Sequence, residues 1–194
     1  MIDPKLKEKL LDEVRNRVPA KYCFHNSRHA EDVHAAVCEI VGRYGFPKEL
    51  VLQLECAALL HDIGFSAGPD GHEKRSADEG ALILRTEGFD EKFQAKVGQL
   101  ILSTEVARPP EDLTAEIMRD ADVYHIGTPA GKEKSLQLKH EFEAIGRPIP
   151  LSVWYADEIR FLRAHHFFLP WLEELRRGER QRAISEIEVA LSRM

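Results

Sequence analysis

Apolar residues recur at helical spacing along most of the chain. Between about 27 and 44 they fall three, four or seven residues apart, at Ala30, Val33, Val37, Ile40, Val41 and Tyr44. This spacing places them on one stripe of an α-helix. A second such pattern follows Pro47, runs into His61-Asp62 and stops at Gly64. No alternating run is flanked by hairpin turns, so the chain is predicted to be all-α.

Proline, glycine and short polar side chains mark where the predicted helices begin and end. Asp3-Pro4 is typical of an N-cap followed by proline in the first turn, and this helix is predicted to end before residue 19. Asp90 is a second predicted N-cap, for a helix that ends near residue 102. The composition of 65–71 favours a loop. Further helices are predicted at about 72–86, 113–124, 129–145, 152–168 and 179–193.

Composition narrows the class of protein. The chain has 194 residues, of which 43% are hydrophobic and 31% charged, as in an ordinary soluble globular protein. The net charge is −6, and no block of consecutive Lys and Arg occurs. A protein that binds duplex nucleic acid usually carries a basic face, so duplex nucleic acid is not an expected partner. A small phosphorylated substrate is compatible with this charge.

Cysteine usage and the longest apolar runs bear on location. Cys23, Cys38 and Cys56 are widely spaced and odd in number, which argues against a disulfide framework. Cys38 and Cys56 lie in apolar stretches and are predicted to be small core residues. The charged N-terminus lacks an apolar signal region, and no apolar run is long enough to span a bilayer. We therefore expect a cytoplasmic protein without a membrane partner; the sequence does not predict an oligomeric state.

Candidate metal ligands stand at the ends of predicted helices. His29 begins one helix, His61-Asp62 ends the next after the apolar run CAALL, and Asp122 lies in a third. Ionisable groups at the edges of apolar stripes are costly to bury unpaired, and a shared cation removes that cost. We predict that His29, His61, Asp62 and Asp122 bind one divalent metal. Two imidazoles and two carboxylates suit Mn, Fe, Co, Zn or Ni.

These residues and their order resemble those of the HD-domain metal-dependent phosphohydrolase superfamily. AALLHDIG (57–64) resembles its His-Asp segment, HEKRSA (72–77) its following helix, and RDADVYHIG (119–127) the Asp-Ala-Asp segment of its predicted phosphohydrolase branch. KHEFEAIG (139–146) and FLRAHHFFLP (161–170) resemble that branch's later helices. The resemblance covers about 20–170. It implies a helical bundle like that of HD domains and cyclic-nucleotide phosphodiesterases, in one domain over 1–194 with a C-terminal helical extension at 171–194. Mg is a further candidate metal.

The segment YCFHNSRHAEDV (22–33) is similar to the start of the corresponding helix in cyclic-nucleotide phosphodiesterases. This resemblance implies that His25 is the acid that protonates the leaving oxygen and that His29 is a metal ligand. An alkoxide leaving group needs a proton, and imidazole exchanges protons near neutral pH. The alternative for His25 is a capping or loop residue. Asp62 is predicted to act in catalysis as well, because it can position the attacking water while it binds the metal.

The number of ions follows from a departure from the family pattern. Relatives that bind two metals supply further histidines after the His-Asp pair. His72 fits one of these positions, but ILSTEVARPP (101–110) contains no second histidine. One ion is therefore predicted rather than two. His72 then has two alternatives, a contact with the substrate phosphate or an exposed residue at a helix start.

Phosphate binding also requires hydrogen-bond donors. Arg28, between His25 and His29, is the predicted charged contact. Thr104 either lines the substrate pocket or caps a turn. Lys74 and Arg75 are further donors, with a solvated surface role as the alternative for each. His165-His166 does not fit the spacing of the metal set and is predicted to have a packing role.

The predicted function is hydrolysis of a phosphate ester by a metal-activated water. The substrate class is a nucleotide or another small phosphorylated metabolite, as a monoester or a diester. The alternative is a non-catalytic HD module that binds a nucleotide or metal for regulation. The intact ligand set together with a candidate acid favours the enzyme, because a sensor needs neither. A structural metal site is the weakest hypothesis, since structural zinc sites are usually cysteine-rich.

Overall fold

Nine α-helices and one short 3-10 helix make up the structure, a computed structural model that describes residues 1–194. The α-helices are α1 Pro4–Arg17, α2 Ser27–Val41, α3 Lys48–Leu60, α4 His72–Thr86, α5 Glu91–Leu102, α6 Leu113–Asp122, α7 Pro129–Ala144, α8 Leu151–Ala164 and α9 Pro170–Leu191. The 3-10 helix spans Ile63–Ala67 and follows α3. The all-α prediction is confirmed. The helices form two compact units, Met1–Tyr124 and His125–Met194. The prediction of a single domain stays a prediction.

Side-chain caps begin several helices where the sequence predicts them. The Asp3 carboxylate accepts hydrogen bonds from two backbone N–H groups of the first turn of α1, and the Asp90 carboxylate accepts one from Phe93. Both predicted N-caps are confirmed. Asn26 caps α2 by accepting from the N–H groups of Arg28 and His29. Each such bond satisfies a backbone donor that the helix itself leaves without a partner.

Three predicted boundaries are wrong. The segment predicted as a loop at 65–71 begins within the 3-10 helix. The helix predicted to reach residue 168 ends at Ala164, because the His165 backbone is extended. The last helix begins at Pro170 rather than near 179. Proline favours the first helical turn, where its missing N–H costs nothing. Gly178 lies inside this helix and does not interrupt it.

Helix α3 is the centre of the first unit. All eight of its last residues, 53–60, are buried, and α1, α2, α5 and α6 pack around it. Burying each large aliphatic side chain there stabilises the fold by about 1.5–3 kcal/mol. The segment Lys48–Ala67 is long and apolar enough to cross a membrane, but most of it is buried in the protein, as in the core helix of a soluble protein. The buried end of α3 carries the next residues, His61-Asp62, into the interior.

The second unit consists of α7, α8 and α9, with α9 in contact with both of the others. A partly buried ion pair joins Arg180 to Glu173, whose carboxylate also accepts a hydrogen bond from the Phe167 backbone N–H. Gly127 has a φ of 81°, and a Cβ there would lie 2.9 Å from the Arg180 backbone nitrogen. Only glycine adopts that conformation at no steric cost and leaves room for this approach.

Candidate metal centre

The four side chains predicted to bind metal meet inside the first unit. His29 Nε2 lies 3.0 Å from Asp122 Oδ1 and 3.6 Å from Asp62 Oδ2. His61 Nε2 lies 3.1 Å from Asp62 Oδ2 and 3.3 Å from Asp122 Oδ1. The two histidines and Asp62 are almost fully buried, whereas the Asp122 side chain is 28% exposed. The cluster therefore opens to solvent on the side of Asp122.

Helix ends place each of these groups. His29 lies in the first turn of α2, where the Asn26 cap fixes the start of the helix. His61 is the C-cap of α3, and Asp62 follows it at the start of the 3-10 helix. Asp122 is the last residue of α6, which packs on α2 and α3. Three packed helices thus converge on one point.

The orientation of His61 leaves a lone pair at the centre of the cluster. Its Nδ1 lies 2.8 Å from the Ala58 carbonyl oxygen, so Nδ1 donates and Nε2 has no proton to give in the neutral ring. His61 Nε2 and Asp62 Oδ2 are both buried and lack a hydrogen-bond partner. Two buried acceptors in contact are costly, and a cation between them removes the cost.

The spacing also fits an ion. Adjacent ligands of an octahedral cation with bonds of about 2.1 Å lie about 3.0 Å apart. The closest contacts in the cluster, between His29 and Asp122 and between His61 and Asp62, are 3.0 and 3.1 Å. The residues present therefore suit a divalent metal in both donor type and separation.

The electrostatic field of the cluster favours positive charge. Burial by itself would lower the pKa of His61, but the Asp62 and Asp122 carboxylates raise it well above its ordinary value. Burial by itself would raise the pKa of Asp62, yet His61 and His72 hold it well below the usual range. Despite burial, the adjacent His29 and His61 rings lower the pKa of Asp122 as well. Both carboxylates stay ionised, and a cation among them balances their charge.

His72 contacts the other oxygen of Asp62. Its Nε2 lies 3.4 Å from Asp62 Oδ1, and its Nδ1 donates to the Pro69 carbonyl at 2.8 Å. The ring is 20% exposed. Asp62 therefore turns one oxygen toward the buried histidines and the other toward His72.

His25 lies at the rim of the cluster. Its ring stacks on Phe65, with centroids 4.0 Å apart and an interplanar angle of 12°. The His25 centroid lies 6.0 Å from that of His29 and 6.3 Å from that of His72. The sequence did not point to Phe65, because a phenylalanine in a segment of loop composition carries no sign of a role at a site.

Hydrogen bonds from Arg75 and to Ser76 hold the segment between Asp62 and His72. The Arg75 guanidinium donates to three backbone carbonyls, those of Gly64 at 2.9 Å, Asp70 at 2.5 Å and Gly68. The Gly64 N–H donates to Ser76 Oγ at 2.9 Å. Arg75 therefore supports the loop and does not face a substrate.

The remaining predicted phosphate contacts lie apart from the four side chains. Arg28 is exposed, and its side chain makes no ion pair with them. The Thr104 hydroxyl donates to the Ile101 carbonyl at 2.8 Å, which is the turn-capping alternative. Lys74 pairs with Asp78 on the exposed face of α4. His72 is the only predicted substrate contact that touches the cluster.

A second group of potential ligands was missed by the sequence analysis. His34, Cys38 and Glu55 bring one ligand atom each to within 4.8 Å of the others. Cys38 was predicted to be a small core residue, but it is half-buried, and its thiol donates a hydrogen bond to Glu55 Oε1. Cys56 is fully buried, as predicted. The available signal was the four-residue spacing of His34 and Cys38 on one predicted helix.

Comparison with known proteins identifies one family. A family model described as the HD domain matches residues 26–127. The matched span exceeds half of the chain and includes His29, His61-Asp62 and Asp122. Neither the curated proteins nor the solved structures gave a significant match.

Proposed function

The chain belongs to the HD-domain family, and from this premise we propose that it is a metal-dependent phosphohydrolase. Its substrate is a phosphate ester of a nucleotide or of another small phosphorylated metabolite. One observation carries the proposal: His61 Nε2 and Asp62 Oδ2 are buried acceptors without hydrogen-bond partners, directed at a shared point with His29 and Asp122.

His29, His61, Asp62 and Asp122 would hold one divalent ion, of Mn, Fe, Co, Ni, Zn or Mg. Such an ion, when bound, neutralises charge on the phosphoryl oxygens and lowers the pKa of water at the site. The His61 bond to the Ala58 carbonyl fixes the ring so that Nε2 faces the ion. The burial of His29, His61 and Asp62 shields the ion from bulk water, whereas the Asp122 side chain is 28% exposed.

Asp62 has two tasks in this proposal. Oδ2 faces the buried histidines and completes the ligand set. Oδ1 faces His72, which lies on the partly exposed side. A carboxylate in this position orients the attacking water and accepts its proton. Although burial opposes it, the Asp62 carboxylate raises the pKa of His72, and the protonated ring donates from Nε2 to a phosphoryl oxygen while Nδ1 donates to the Pro69 carbonyl.

His25 is the proposed proton donor to the leaving oxygen. Stacking on Phe65 fixes its ring plane, and its place beside His29 and His72 puts it at the open rim where a substrate arrives. Arg28, exposed in the same helical turn as His29, is the proposed contact for a more distant phosphate group. Thr104 has weaker support, since its hydroxyl already bonds to Ile101.

The test measures turnover and metal content together. Purified protein loaded with Mn, Co, Ni or Mg is assayed on a panel of nucleotides and generic phosphate esters. Asp62→Asn, which keeps the shape of the side chain, is expected to lower kcat/KM by at least about 100-fold, since even the outer partners of metal ligands cost 10–100-fold when removed. Asp78→Asn is the matched control, because Asp78 is exposed and forms an ion pair with the exposed Lys74.

Two outcomes would count against the proposal. A wild-type protein that binds metal but hydrolyses no member of the panel would favour a regulatory module over an enzyme. An Asp62→Asn variant that keeps both its metal and its turnover would refute the assignment of the site.

A further inference from the structure

The second group of potential ligands lies on a different face of the same two helices. His34 is five residues after His29 on α2. In an α-helix this spacing rotates one side chain by about 140° from the other around the helix axis and separates the two residues by about 7.5 Å along the axis. Glu55 precedes His61 by six residues on the α3 side. The three side chains of the second group, His34, Cys38 and Glu55, are therefore directed away from the first cluster.

The separations among these three residues match a tetrahedral ion. His34 Nε2 lies 3.4 Å from Glu55 Oε1, Cys38 Sγ lies 3.4 Å from the same oxygen, and Cys38 Sγ lies 3.7 Å from His34 Nε2. Zinc bonds of about 2.0–2.3 Å at tetrahedral angles place such ligand atoms roughly 3.4–3.6 Å apart. No rearrangement of the helices is needed for all three atoms to reach one ion.

The burial of Glu55 is a second and independent observation. Its side chain is 1% exposed, and Oε2 has no hydrogen-bond partner. The α-ammonium of Met1 lies 3.6 Å from Oε2, but that residue is 93% exposed. A solvated ammonium at this distance compensates a buried carboxylate only weakly. An ion bound directly to the carboxylate compensates it fully.

We propose that His34, Cys38 and Glu55 form a second metal site, which takes a thiophilic divalent ion such as Zn²⁺ or Co²⁺. Binding replaces the thiol proton of Cys38, which leaves to solvent, with the metal. The donor set of sulfur, nitrogen and oxygen disfavours Mg²⁺ and Ca²⁺. Three protein ligands leave one tetrahedral position for water. The site joins α2 to α3, since His34 and Cys38 lie on α2 and Glu55 lies on α3.

The two metal sites differ in a way that spectroscopy can resolve. Only the second includes a thiolate, and a thiolate bound to Co²⁺ gives a charge-transfer absorption in the near ultraviolet. The untagged full chain, freed of metal by chelator and then titrated with Co²⁺, is expected to develop this band. Addition of Zn²⁺ is expected to abolish it as Zn²⁺ replaces Co²⁺.

Variants assign the band to its ligands. Cys38→Ser is expected to abolish it, and Glu55→Gln, which keeps the side-chain shape, to weaken Co²⁺ affinity at this site by at least about 100-fold. Cys23→Ser is the matched control, since Cys23 is exposed, and it is expected to leave the band unchanged. Asp62→Asn is also expected to keep the band, which separates this site from the first.

Absence of the band in the wild-type protein at saturating Co²⁺, or its survival in Cys38→Ser, refutes the site. Circular dichroism of each variant shows whether it is folded. If Cys38→Ser does not fold, Glu55→Gln decides the question. A Co²⁺ affinity of Glu55→Gln equal to that of the wild-type protein, measured from the intensity of the charge-transfer band, refutes the proposal.

Discussion

The backbone carbonyl of His72 occupies the space where a side chain at Gly64 would begin. A Cβ built on Gly64 would lie 2.3 Å from that oxygen and 2.8 Å from the Ser76 backbone nitrogen. Real Cβ atoms do not approach backbone atoms so closely. Glycine two residues after Asp62 therefore lets the start of α4 pack on the 3-10 helix, which brings His72 against Asp62.

Gly64→Ala is expected to displace the start of α4 and to destabilise the protein by about 1–3 kcal/mol, in the range of other overpacking substitutions. His72 moves with the helix, so activity is expected to fall as well. Thermal unfolding and turnover are the measurements. Gly178→Ala is the control: no atom lies within 4 Å of its added Cβ, and alanine stabilises a helix interior by about 0.5–1 kcal/mol. Equal effects of the two substitutions would contradict the packing argument.

Arg75→Lys keeps the charge but removes the fork that binds three carbonyls, and it is expected to cost about 1–2 kcal/mol. The 3-10 helix should loosen, with faster hydrogen exchange at the N–H groups of Phe65 and Gly68, which close its turns. Lys74→Gln is the neighbouring control, with a cost below about 0.5 kcal/mol, because its ion pair with Asp78 is exposed. Unchanged hydrogen-exchange rates in Arg75→Lys would show that the three hydrogen bonds of Arg75 do not stabilise the 3-10 helix.

His25→Asn tests the proposed proton donor through the leaving group. For a nucleotide or alkyl ester, whose leaving oxygen needs a proton, kcat is expected to fall by about 10²–10⁴-fold. For a nitrophenyl ester, whose leaving group is stable as an anion, the loss should be much smaller. His140→Asn, an exposed histidine on α7, serves as the control. A loss of the same size for both kinds of ester would mean that His25 positions the substrate and does not protonate it.

Glu173 gives the second unit a defined pH dependence. A hydrogen bond from Arg180 lowers the pKa of Glu173 to about 2, from an ordinary value of 4.5. A depressed folded-state pKa contributes stability that is fully present above about pH 4.5 and is lost as the pH falls toward 2. The shift corresponds to a contribution on the order of 3 kcal/mol at most.

Glu173→Gln is therefore expected to be less stable than wild type at pH 6, and the difference should shrink to near zero at pH 2. Both tryptophans of the chain, Trp154 and Trp171, lie in the second unit, so their fluorescence reports its unfolding. Comparing the two proteins at each pH cancels the titration of other carboxylates. A difference that does not vary with pH would exclude the ion pair as its source.

Much of the first cluster, formed by His29, His61, Asp62 and Asp122, was predictable because its residues carry local signals. His29 follows a capping asparagine, His61-Asp62 ends an apolar run, and Asp122 lies in an amphipathic helix. Each signal is encoded within a few residues of the group concerned. The order of these residues along the chain then identified the family, which the match at 26–127 confirms.

The second group was not predictable in the same way. Cys38 and Glu55 each stand within an apolar stretch, where a cysteine is usually a core residue. Their contact at 3.4 Å depends on how α2 and α3 are rotated against each other. The stacking of His25 on Phe65 likewise depends on where the 3-10 helix places the phenylalanine.

The sequence by itself determined the helical class, most helix boundaries and the four residues of the first cluster, because periodicity, caps and turn residues act over short distances. Only the tertiary structure decided which atoms face one another. His29 and Asp122 are 93 positions apart, yet their ligand atoms lie 3.0 Å from each other. That separation depends on the rotation and spacing of packed helices, which side-chain packing across the whole core fixes and no local pattern encodes.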